Sequence, residues 1–92
     1  MITPKNLAQH ELMGLRVSIA DSANPQLVGT SGVVADESRN TITIEREGIT
    51  KTVAKGENTF IFELPSGEKV MINGELLVGR PEDRIKKRPK NW

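Results

Sequence analysis

From Leu15 to Val78 the sequence is a succession of short extended runs, each ended by Gly, Asn, Asp or Pro, and this punctuation constrains the fold more than any other feature. Leu15, Val17 and Ile19 alternate with Arg16, Ser18 and Ala20, the period-two pattern of a strand with one buried face. Asp21 to Pro25 is turn chemistry, and residues 27–36 form a second extended run that contains Gly29 and Gly32. Glycine inside a strand marks a bulge, a bend or a close backbone approach, the devices that curl a small sheet. Residues 37–40 lead into the β-branched run 41–44. Glu47-Gly48 turns the chain into 49–53, residues 55–58 turn it into 59–64, and Pro65-Ser66-Gly67 leads to 70–72. Asn73-Gly74 is the strongest two-residue hairpin signal in the chain, because both residues tolerate positive φ, and it predicts a last strand over 75–78. Six or seven short strands at this spacing predict an all-β domain. Strands this short form a small antiparallel barrel more readily than a sandwich, and closure removes unpaired edges.

Helical signals flank the strands. Thr3 can cap and Pro4 suits a first helical position, Leu7, Ala8, Glu11, Leu12 and Leu15 follow at helical spacing, and Gly14 is a natural stop. A helix over 4–13 is expected, short enough that it must dock on something. After the strands, Gly79-Arg80-Pro81-Glu82-Asp83-Arg84 opens a second helix, expected over 81–88. Pro81 fits its first turn, Glu82 and Asp83 complement the positive dipole end, and Lys86, Lys87 and Arg88 the negative end. Residues 1–92 read as a single domain: helix 4–13, barrel 15–78, basic helix 81–88.

With aromatics at 3% the core must be aliphatic, and Phe60 and Phe62 share the face of Leu64, so they belong inside. The absence of Cys removes disulfides, thiolate nucleophiles and Cys-based zinc sites. The N-terminus lacks a signal-peptide pattern, and no run approaches the ~18 apolar residues of a membrane span. A cytoplasmic protein without membrane contact is expected. The net charge of +1 hides an asymmetry: residues 80–92 carry six basic and two acidic side chains, residues 1–79 seven basic and ten acidic. A tail opposite in sign to its body suits a polyanion partner or an anchoring role, or else it is simply solvated.

Catalytic chemistry is sparse. His10 is the lone histidine, and Glu11 beside it diverges by about 100° on a helix, so the two do not converge on one atom. Glu45-Arg46-Glu47 and Asp36-Glu37 read as solvated strand ends, and the glycines form no phosphate-binding loop. No catalytic residue, metal site or bound cofactor is assigned. Binding chemistry is richer, because Lys and Arg on a barrel rim can meet RNA phosphates. With no Tyr and both Phe inside, stacking platforms for single strands are missing, which favours folded RNA read through its backbone. The RNA-binding candidates are Arg16, Arg39, Lys55, Arg80, Arg84, Lys86, Lys87 and Arg88. Leu7, His10, Glu11 and Leu12 are candidates for contact with a protein partner. Helix initiation accounts for Pro81, Glu82 and Asp83, and Arg84 has a second reading, a pairing with an acid on the barrel.

Three blocks carry a family resemblance: Leu12-Met13-Gly14-Leu15-Arg16-Val17, the stretch 32–44 ending Asn40-Thr41-Ile42-Thr43-Ile44, and Gly79-Arg80-Pro81-Glu82-Asp83-Arg84-Ile85-Lys86. They resemble the archaeal ribonuclease P protein component 1 family, whose eukaryotic relatives belong to ribonuclease P and the MRP particle. The resemblance runs from about residue 7 to 88. It implies an Sm-like or SH3-like barrel of about six bent strands with short terminal helices. It also implies a non-catalytic subunit supporting a catalytic RNA that removes the 5′ leader of precursor tRNA. Magnesium then belongs to the RNA, and this chain binds no cofactor. A zinc-binding protein subunit is the implied heterodimer partner, and the pair acts on the specificity region of the RNA. The competing readings are a ring-forming Sm-like or SH3-like ribosomal protein, a protein-only scaffold and, more remotely, a small hydrolase.

Overall fold

The computed structural model describes residues 6–80 and Arg84. Six strands run β1 (Arg16–Ser22), β2 (Ser31–Glu37), β3 (Thr41–Arg46), β4 (Ile49–Ala54), β5 (Asn58–Glu63) and β6 (Lys69–Asn73). They form one antiparallel sheet in the order β4-β3-β2-β1-β5-β6. The alternation in the sequence sets the faces. Asn58, Phe60 and Phe62 of β5, Ile42 and Ile44 of β3, and Val17 and Ile19 of β1 all point inward and are buried. The Phe60 and Phe62 rings, two residues apart on one face, stand 5.9 Å apart between centroids.

No second sheet covers this apolar face among the described residues, so the sheet curls over its own core. Register shifts between Ile19 and Asp21 of β1 and between Val34 and Asp36 of β2 supply the bends, since a bulge raises local twist. The barrel is open: β4 and β6 lie at the sheet edges, and no ladder joins them among the described residues. Full closure was expected and is replaced by loop contacts. The Lys55 ammonium donates to the Gly79 carbonyl at 3.0 Å, and Gly79 N–H to the Arg39 carbonyl at 2.7 Å.

Three local expectations change. The Asn73-Gly74 hairpin and the strand over 75–78 do not form; β6 ends at Asn73, and Gly74–Leu77 is a 3-10 turn. The Asn73 side chain caps that turn by accepting from Glu75 N–H at 3.0 Å. Glycine is needed at 74 for close approach instead, because a Cβ there would lie 2.6 Å from the Asn58 carbonyl oxygen and nearer still to that of Lys55. The tight hairpin is Glu47-Gly48, with φ of 52° and 80°, joining β3 to β4 across the Arg46–Ile49 pair.

The helix expected over 4–13 is also corrected. Its first two residues lie outside the described residues, and what is seen is a single 3-10 turn, Leu7–Gln9. Leu7 and Leu12 are both fully buried in the core, and five residues apart on a helix they would diverge by about 140°. Burying both requires the chain to leave the helix. The helix expected over 81–88 lies outside the described residues except for Arg84, whose N–H donates to the Arg80 carbonyl at 3.0 Å.

Candidate nucleic-acid interface

Glu37, Lys55 and Arg84 come from three separated parts of the chain, and the curl of the sheet brings them together. Glu37 closes β2, Lys55 directly follows β4, and Arg84 returns from the end of the chain. The Lys55 ammonium donates to Glu37 Oε2 at 2.8 Å and to the carbonyls of Ser38 and Gly79 at 2.6 and 3.0 Å. Arg84 pairs with the same Glu37 oxygen. It also donates to the carbonyls of Ala8 (2.9 Å), His10 (3.1 Å), Leu77 (3.1 Å) and Gly79 (2.7 Å). The second Glu37 oxygen accepts from Leu12 N–H at 3.4 Å.

Two cations share one carboxylate, and backbone carbonyl dipoles offset the remaining charge. Burial pushes the Lys55 ammonium below its ordinary value of 10.5; Glu37 opposes that through its hydrogen bond and its charge, and the Arg84 guanidinium reinforces it. A guanidinium suits this position because its fork of donors reaches several acceptors at fixed angles, which an ammonium cannot do.

This cluster overturns several sequence-based assignments. Lys55 is 0% exposed and Arg84 4%, so neither is available to RNA phosphates; for Arg84 the pairing with a barrel acid is the reading that holds. Leu7 and Leu12 are core residues and present no surface to a partner. Of the other partner candidates, His10 is half-buried and Glu11 exposed. Arg39 and Arg80 are exposed, as is Arg16, whose side chain is 78% accessible and 3.9 Å from Glu63. Lys86, Lys87 and Arg88 lie outside the described residues.

Cross-strand register adds residues that sequence reasoning missed. Arg16 faces Val33 on one side and Glu63 on the other, and Glu63 in turn faces Lys69. Arg46 reaches back to Ser31 Oγ at 3.2 Å. Arg16, Arg46 and Lys69 thus line one groove together with Glu45, Glu47 and Glu63. No one-dimensional signal marks Arg46 and Lys69, because only strand pairing places them beside Arg16. The groove alternates in sign, so it is no broad basic face. The basic excess of the chain lies beyond Gly79.

Among the described residues no group of three or more His, Cys, Asp or Glu side chains is arranged to hold a metal ion. No helix there is long and apolar enough to cross a membrane.

The described residues form a small open β-barrel with Arg84 bound at the tip of β2 in a buried ionic cluster. Residues 5–87 match the ribonuclease P/MRP subunit p29 family, and the chain belongs to that family. It is 53% identical over 89 residues to ribonuclease P protein component 1 of Methanothermobacter thermautotrophicus, covering 96% of each chain. With the protein of the same name from Methanocaldococcus jannaschii it shares 47% over 91 residues, covering 98% of this chain and 95% of that one. A solved structure described as Mth11, a homologue of human RNase P protein Rpp29, superposes with a TM-score of 0.60 at 52% identity, covering 83% of this chain and 99% of the other.

Proposed function

We propose that this ribonuclease P subunit is a non-catalytic RNA-binding protein that supports a catalytic RNA in removing the 5′ leader of precursor tRNA. The observation that carries the reading is the segregation of charge. The two cations in the interior are spoken for, the described surface is acid-rich, and the basic residues 86–88 follow directly on the pinned Arg84. Such a segment suits phosphate contact, which gains from counterion release. Magnesium belongs to the RNA in this reading, whose specificity region is the target, and the particle is cytoplasmic. Purified protein with magnesium and precursor tRNA is expected to give no product. Adding the cognate RNA and the remaining subunits restores leader removal, with an unchanged chemical step in His10→Ala. Turnover by RNA-free protein, lost on changing His10, would overturn the reading.

A zinc-binding subunit as heterodimer partner is part of the same proposal, supported by the family resemblance. With Leu7 and Leu12 inside the core, His10, Glu11 and the exposed Met13 are the contacts proposed among the described residues of the N-terminal segment. His10→Ala/Glu11→Ala is expected to weaken co-purification with that subunit at least severalfold; undiminished recovery would remove these residues from the interface.

A further inference from the structure

Arg16, Glu63 and Lys69 stand in one row across β1, β5 and β6, since Arg16 faces Glu63 and Glu63 faces Lys69 in the strand register. Unlike the trio around Glu37, this row is open to solvent. Arg16 Nε lies 3.9 Å from Glu63 Oε2, too far for a hydrogen bond, and the two side chains are 78% and 41% accessible. An exposed pair of this kind contributes little to stability, so its donors and acceptors can turn to a ligand at small cost. The groove that the row lines has a volume of about 780 Å³. Val33, exposed and paired with Arg16, and Ile61, paired with Ser18, give it apolar surface on either side of β1.

The charges of the groove decide what it can hold. Its three cations stand among three carboxylates, so a phosphodiester laid along it would meet as many repulsive groups as attractive ones. A neutral ligand with acceptors and donors side by side fits better. We propose that the groove holds one unpaired guanine of the bound RNA, with Arg16 donating to its O6 and N7 and the Glu63 carboxylate accepting from its N1–H and N2 amino group. The proposal rests on the RNA-binding reading above and names what this groove reads. Guanine alone among the four bases offers two acceptors on one edge and two donors on the next, which a guanidinium and a carboxylate match in pairs. Cytosine gives the carboxylate a single amino hydrogen, and adenine and uracil set acceptor lone pairs against it. Lys69, beyond Glu63, remains for the phosphate of the same nucleotide. Folded RNA displays such bases in its loops and bulges.

The test uses the full-length chain, ribonuclease P RNA transcribed in vitro, and short oligouridines with guanosine, inosine or adenosine at the centre. The guanosine oligomer is expected to bind roughly fivefold to a hundredfold tighter than the adenosine one, the range for a bidentate contact, and to shift the amides of Arg16, Val33 and Glu63. Inosine, which lacks the N2 amino group, falls between them. In Glu63→Gln the guanosine and inosine oligomers bind alike, and Arg16→Ala weakens the guanosine oligomer severalfold. On the transcript, Glu63→Gln lowers affinity severalfold even though it removes a negative charge. A surface that met phosphates alone would bind more tightly after that change. The base substitutions need no protein variant, so they carry the test if either variant fails to fold. A wild-type chain that does not bind the transcript overturns the RNA-binding reading and the guanine site together. A chain that binds the transcript but leaves those three amides unmoved, treats guanosine and adenosine alike, or keeps its RNA affinity in Glu63→Gln overturns the guanine site and leaves RNA binding standing. Loss of a protein subunit from the reconstituted particle in Glu63→Gln, with RNA affinity undiminished, overturns it too and makes the groove a protein contact.

Discussion

Replacing Glu37 by Gln is expected to destabilise the fold by about 3–5 kcal/mol, the range for breaking a buried ion pair from one side. The substitution keeps the volume and removes the one negative charge that faces Lys55 and Arg84 among the described residues. Lys55, held between β4 and β5, cannot withdraw without moving the sheet. Domains of this size have only about 5–15 kcal/mol of total stability, so the thermal midpoint should drop by at least about 12 °C. Glu37→Leu/Lys55→Met/Arg84→Met should recover part of the loss, because an apolar trio no longer buries charge. Recovery stays incomplete, since the carbonyls of Ala8, His10, Ser38, Leu77 and Gly79 lose their donors. Thermal melts of the two variants decide it: a Glu37→Gln midpoint close to wild type would show that the cluster contributes little.

Gly74→Ala should be about as damaging as an overpacked core, costing about 1–3 kcal/mol or more. Its Cβ would meet the carbonyl oxygens of Lys55 and Asn58, which are backbone atoms and cannot rotate away. Gly56→Ala is the internal control. It lies in the same 55–58 connection, and a Cβ there would meet nothing nearer than the Glu75 side chain at 4.0 Å. Urea midpoints should separate the pair clearly. Equal midpoints would mean that the 3-10 turn after β6 shifts freely to admit the methyl group.

The strands were legible because each depends on local alternation. β5 reads as Phe60 and Phe62 inward against Thr59 and Ile61, and Glu47-Gly48 reads as a turn from its own φ preferences. Errors arose where distant backbone decides. Asn73-Gly74 has the composition of a hairpin, but the position of Gly74 against Lys55 and Asn58 is settled by long-range packing. Leu7 and Leu12 fit a short helix on paper, and only the location of the core shows that both must enter it. The ionic residues were hardest to place. Lys55 in its Lys-Gly-Glu-Asn turn looks solvated, and nothing local reveals that Glu37, eighteen residues earlier, lies beneath it. For Arg84 the pairing with a barrel acid was open from sequence, but not which acid. The groove of Arg16, Arg46 and Lys69 was invisible because it exists only through register.

The strand order also implies a sequence of events as the chain folds. β2, β3 and β4 pair with near neighbours along the chain and need only short turns, whereas β1 must find β5 across more than thirty intervening residues, Ala23 to Glu57. Contacts of that separation are slow to form, because the entropy of closing the intervening chain is lost before the contact is gained. Until β5 is in place there is no β6, no turn at Leu77 and no Gly79 carbonyl at the tip of β2. Two acceptors of Arg84, the Leu77 and Gly79 carbonyls, are therefore assembled late, and Arg84 comes after all of its partners in the chain. A half-folded intermediate built on β2, β3 and β4 offers it Glu37 without those two carbonyls, so the full set of Arg84 bonds reports that β5 and β6 have formed.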